Sequence, residues 1–131
     1  MDFYLPVIRT LQTLSSFSLL AGNSGLDKEV NRVVLFDDIM GGGISCSSDS
    51  LLVGIWPSEK SFSRLYLSSV FSILQQGVGG IAFQGRIPSK LKKAADIFST
   101  PLFGIPQSYT LLSILFALDM EIQKYNNRLD R

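Results

Sequence analysis

GVGGIAFQGRIPSKLKKAADIFSTPLFGIP, residues 77–106, decides the fold of this chain. Gly77, Gly79 and Gly80 close a preceding helix. Ile81, Ala82 and Phe83 form a short apolar run of the buried-strand type. Pro88 stands where a first helical residue tolerates proline, because the missing N–H has no helical partner there. Leu91, Ala94, Ala95 and Phe98 put an apolar stripe on the helix, with Lys90, Lys92, Lys93 and Asp96 facing water. Residues 101–105 make a second buried strand, stopped by Pro106. A right-handed crossover lays the two strands parallel in one sheet. The expected class is therefore α/β: a single domain with a mostly parallel sheet, flanking helices and a long C-terminal helix.

Working outward, residues 5–14 predict a first helix with Val7, Ile8, Leu11 and Leu14 on one side, and residues 17–21 a strand. The β-branched run 30–36 predicts a central strand. Residues 37–49, with Gly41, Gly42 and Gly43, read as a loop, and residues 51–56 as a further strand stopped by Pro57. Ser58 or Ser61 is expected to cap a helix running to about Gln76. Its expected buried face is Phe62, Leu65, Tyr66, Val70, Ile73 and Leu74. A last helix is expected from about Ser108 to the C-terminus.

That last helix carries Leu111, Leu115, Leu118, Ile122, Tyr125 and Leu129, spaced 4, 3, 4, 3, 4. This is a heptad seam. Up to Leu118 the other faces are apolar too, whereas Glu121, Gln123, Lys124 and Arg128 surround the seam beyond it. The pattern predicts a helix that starts on its own domain and leaves it as one strand of a dimeric coiled coil. Leu115, Leu118, Ile122, Tyr125 and Leu129 are the expected dimerisation residues. The competing reading is an amphipathic helix folded back on the sheet.

With 131 residues, 46% apolar and 18% charged, the chain has the composition of a folded domain rather than a disordered one. Its net charge of +1 gives no electrostatic footprint for nucleic acid. The absence of histidine removes the commonest general base and metal ligand. The lone Cys46 can form neither an internal disulfide nor a thiolate cluster, and fits a reducing cytoplasm. No signal peptide or spanning segment is expected, and no metal or cofactor. The glycines at 41–43 lack the Lys-Ser/Thr of a phosphate loop and the spacing of a dinucleotide fingerprint.

Three residues at expected strand ends are candidates for ligand contact. Asp37 begins the loop after the first central strand, beside Asp38. Adjacent strand residues point to opposite faces, so the two carboxylates are not expected to share a proton. Trp56 could stack on a planar ligand. Arg86 precedes a helix N-terminus and could fork a carboxylate, an oxo-purine edge or a phosphate.

Three segments resemble the N-terminal domain of the purine catabolism regulator (PucR-type) family of transcriptional regulators. Residues 25–33, GLDKEVNRV, are similar to its Gly-Leu-Asp-Arg-Pro-Val entry to a strand. Residues 77–86, GVGGIAFQGR, resemble its Gly-Val-Ala-Ala-Leu-Gly-Ile strand, and residues 87–106 its Ile-Pro, Ala-Ala-Asp, Leu-Pro-Leu and final Pro succession. At residues 49–56 the family's Gly-Glu-Leu-Leu-Leu-Thr-Thr-Gly is written DSLLVGIW. The resemblance implies a cytoplasmic, non-enzymatic sensory or dimerisation domain at 1–118, with 119–131 a helical extension toward a downstream domain. It implies a homodimer, a small-molecule effector, DNA contact only through a separate C-terminal domain, and no membrane. The alternatives are a protein–protein docking module without ligand, and a small enzyme using Asp37 or Asp38 with Arg86.

Overall fold

A computed structural model describes residues 7–40 and 47–129, and the side chains of all of these except Asp38, Met40 and 126–129. Five strands form one sheet: β1 (Ser18–Ala21), β2 (Arg32–Leu35), β3 (Ser50–Ile55), β4 (Gly80–Gln84) and β5 (Leu102–Ile105). Their spatial order is β1-β5-β4-β3-β2. β2 to β5 run parallel, and β1 closes the far edge antiparallel to β5. The helices are α1 (Gln12–Ser15), α2 (Phe36–Met40), α3 (Lys60–Gln76), α4 (Ser89–Ile97) and α5 (Leu111–Leu129). The class is α/β with a mostly parallel sheet, and residues 77–106 form the strand–helix–strand unit read from the sequence.

Side chains alternate across the strands. Leu52, Ile81, Phe83 and Leu102 join Val70, Ile73, Leu74, Leu91, Ala94 and Ala95 in one apolar layer beneath α3 and α4. Leu51, Val53, Ala82, Phe103 and Ile105 point the other way, onto Ile8, Leu11, Leu14, Ile114, Leu118 and Ile122. Burying β3 to β5 on both faces explains why they read as continuous apolar runs. Gln84 is buried too; its amide nitrogen donates to the carbonyls of Pro106 and Tyr109, both at 2.8 Å, and so fixes the turn leading into α5.

Several local expectations need correction. β2 is an edge strand, pairing only with β3 among the described residues, because each crossover steps the chain away from it in one direction. The first helix is broken. A 3₁₀ turn at Ile8–Thr10 is followed by extended Leu11 and then α1. The N–H groups of Ile8 and Arg9 donate to the carbonyls of Lys28 and Leu26, which pulls this segment out of helical register. Asp37 lies within α2 rather than in a loop, and Asp38 follows it there, so the strand argument about the pair does not apply. The glycines at 41–43 and Cys46 lie outside the described residues.

On α3, Val70, Ile73 and Leu74 are buried as expected, but Phe62 and Leu65 are each 53% exposed and do not join them. Neither Ser58 nor Ser61 caps α3: the N-cap is Glu59, with no side-chain cap bond, and its carboxylate accepts from Ser61 instead. Pro88 is the extended N-cap of α4, one position before the first helical residue. Phe98 lies past the last turn of α4 and is exposed at its surface. α5 starts at Leu111, where the Thr110 hydroxyl accepts from the N–H of Ser113.

The heptad seam is turned inward. Leu118 and Ile122, expected at a dimer contact, are buried in the chain's own core, and Leu115 packs against the same cluster. Tyr125 is half-buried, and the side chain of Leu129 lies outside the described residues. The helix does not leave the domain at Asp119. Glu121 accepts hydrogen bonds from the N–H groups of Gln12 and Thr13, at 2.8 and 3.0 Å, and from the Thr13 hydroxyl. A carboxylate on α5 thus caps α1 and holds the two helices together.

Candidate functional site

At the carboxyl ends of β2, β3 and β4 an aromatic cluster closes the core. Phe36 and Phe83 meet edge to face at 5.6 Å, Trp56 meets Phe83 at 5.1 Å, and Tyr66 meets Phe36 at 4.8 Å and Trp56 at 5.8 Å. Gly54 makes room for this: a Cβ there would stand 2.9 Å from the Phe83 ring and 3.0 Å from Phe36. Trp56 is buried, and its indole N–H donates to the Ser63 hydroxyl at 2.8 Å. It is therefore a wall of the core and not an open stacking platform, which corrects its expected role.

Asp37 and Arg86 fall on different surroundings. The Tyr66 hydroxyl donates to Asp37 at 2.9 Å. Burial, followed by this bond and the carboxylate's charge, raises the pKa of the phenol above its ordinary 10.0. Arg86 instead borders a cleft of about 480 Å³ between the start of α3 and the start of α4. Pro57, Ser58, Lys60, Ser63, Arg64, Arg86 and Pro88 line it, and Asp37 does not. Of the three candidate ligand residues, the structure brings Arg86 into an open cleft and leaves Trp56 behind its wall, reachable through Ser63.

Gly85 shapes this cleft. At φ +109° it takes a backbone conformation that side chains disfavour, and a Cβ there would lie 2.9 Å from the Trp56 carbonyl oxygen. The close approach ties the end of β4 to the end of β3 and turns the chain so that Arg86 borders the opening. Lys60 and Arg64, one helical turn apart on α3, supply two further cations. None of the three makes an ion pair among the described residues, whereas Arg9 pairs with Asp27 at 3.0 Å elsewhere. Lys60 and Arg64 are not among the residues the sequence points to; their one signal there is an i,i+4 spacing at the head of a helix with no acidic residue in its first turn.

A second surface runs along α5. Leu112, Phe116 and Met120 are 78%, 68% and 46% exposed, and the first two join Val33, Leu35, Leu115 and Asp119 around a groove of about 350 Å³ beside β2. Among the described residues, no helix is long and apolar enough to cross a membrane. No family model matches the chain, and no curated protein matches it.

Proposed function

We propose that this chain is a non-enzymatic, ligand-responsive regulatory domain of the purine-catabolism-regulator type, and that the cleft beside Arg86 receives its small-molecule effector. The observation that carries the reading is an open, metabolite-sized cleft at the carboxyl ends of parallel strands, the edge at which α/β sheets present ligands. Its walls offer hydroxyls, prolines and cations. Among them the Ser63 hydroxyl accepts from the Trp56 indole N–H at 2.8 Å.

The test is a thermal-shift screen of the full chain with purines, ureides, amino acids and nucleotides. An effector at a hundredfold excess over its Kd adds about 2.7 kcal/mol of apparent stability. At least one compound is expected to raise the melting temperature of the wild type and not of Ser58→Trp, which fills the cleft. A flat screen removes the reading.

A second reading, a docking module whose partner is another copy of the chain, draws on the exposed stripe of Leu112, Phe116 and Met120.

A further inference from the structure

We propose that the cleft is built for a compact dianion: a small molecule presenting a phosphate monoester or a pair of carboxylates. This inference rests on the reading of the cleft as the effector site, and it names the chemistry of that effector.

Three cations border one opening, and no carboxylate is among its described lining residues. Glu59, the acid next in sequence to Lys60, is turned to the Ser61 hydroxyl at 2.7 Å. Asp37 is held by Tyr66. The trio therefore carries a formal charge of three and makes no ion pair among the described residues, more charge than a monocarboxylate matches.

The arrangement also runs against the local preferences of the helix. Lys60 is the first residue of α3, where the helix dipole disfavours a cation. Arg64 sits one turn on, and like charges at this spacing repel. The one acid at this helix start, the N-cap Glu59, makes no side-chain cap bond and accepts from Ser61 instead, and no acid follows in the first turn. Helix α4, which opens on the same cleft through Pro88, likewise starts with neither. A dianion seated between the two helix starts removes all of these conflicts at once, and the planar forks of Arg64 and Arg86 can each grip a pair of its oxygens.

The only tryptophan reports on the site, since the Trp56 indole is bonded to Ser63 in the cleft wall. The full chain is titrated at constant ionic strength with inorganic phosphate, malonate, acetate and the neutral ureide allantoin, following Trp56 fluorescence and melting temperature. Phosphate, malonate or both are expected to saturate the signal, and which of them binds tighter separates the tetrahedral from the dicarboxylate source. Acetate is expected to bind roughly tenfold or more weakly. Arg64→Ala and Arg86→Ala are each expected to weaken the dianion about tenfold or more, the scale of one lost charge-assisted hydrogen bond. Lys93→Ala, an exposed cation on α4 outside the cleft lining, is the charge control and is expected to leave binding unchanged.

All the substituted side chains are exposed, so unliganded melting temperatures check that the variants fold. Dianion binding that survives both arginine substitutions overturns the proposal, as does an equal loss in Lys93→Ala. Saturation by allantoin with silence from both dianions overturns the charge assignment and leaves the effector cleft standing. Silence from every probe, together with a flat metabolite screen, overturns both.

Discussion

Gly85 is the residue whose backbone the cleft needs most. Its positive φ and the 2.9 Å approach of a would-be Cβ to the Trp56 carbonyl leave no relaxed place for a side chain. Gly85→Ala is expected to cost about 1–3 kcal/mol in denaturant unfolding, the usual scale for a strained backbone position. Tyr66 makes a pH prediction. Its folded pKa is raised, by burial and by Asp37, so the native state holds the phenolic proton more tightly than the unfolded chain. The stabilisation is complete below the unfolded value near 10.0 and is lost as pH rises through the higher folded value. Lys28 works in the opposite sense. Burial lowers its pKa, so its contribution improves as pH climbs toward 10.5. Tyr66→Phe is therefore expected to flatten the alkaline fall in stability, read from unfolding curves above pH 10, and a Tyr66→Phe profile identical to the wild type would contradict the assignment. At this scale the sequence shows Arg86 plainly, because Pro88 and the strand before it announce a strand-to-helix corner. Lys60 and Arg64 are not announced. Their side chains look like the solvated charges of any surface helix until Gly85 brings a second element against them.

The elements teach where periodicity stops discriminating. Leu111, Leu115, Leu118 and Ile122 satisfy a coiled-coil seam and a sheet-facing stripe equally well. A 3.5-residue and a 3.6-residue repeat separate by only about 20° per heptad, too little to tell apart over so short a run. What distinguishes them is the other side of the helix, where Leu112 and Phe116 stay exposed while Leu118 and Ile122 are buried. Leu118→Ala is expected to lose about 2–5 kcal/mol of stability independently of protein concentration, as a core truncation does. A concentration-dependent loss would return Leu118 to an interface. Glu121→Gln keeps the shape of the α1 cap and removes its charge. A loss of about 1–3 kcal/mol is expected, with faster amide exchange confined to α1 and its contacts. Strand existence is legible throughout because buried parallel strands are short and uniformly apolar. The break in the first helix is not, because it is made by carbonyls at Leu26 and Lys28, far along the chain. Nor is the edge position of β2, whose apolar composition reflects α5 and Phe36 packing on its two faces rather than strands on both sides.

At the scale of the whole molecule, the two surfaces left open lie on different faces. The cleft is cationic and sits at the carboxyl end of the sheet beside α3 and α4, whereas the apolar stripe lies on α5, on the opposite layer beside β2. β2 pairs on one side only among the described residues, and an unpaired edge flanked by apolar groups favours association with its own kind. In the docking reading, a two-fold axis would let the same stripe serve both partners, with Phe116 on one copy meeting the Leu112–Met120 stripe on the other. Phe116→Glu then places two like charges near that axis. Sedimentation velocity is expected to show a dimer for the wild type and a monomer for Phe116→Glu, with thermal stability at low concentration unchanged because Phe116 is 68% exposed. A wild type that sediments as a monomer at every concentration removes the docking reading without touching the cleft. A dimer that withstands Phe116→Glu, but dissociates when Phe62 or Leu65 is made charged, would move the interface to α3 and set it beside the effector cleft. Occupancy and assembly would then be coupled through one helix, and dianion affinity would depend on protein concentration.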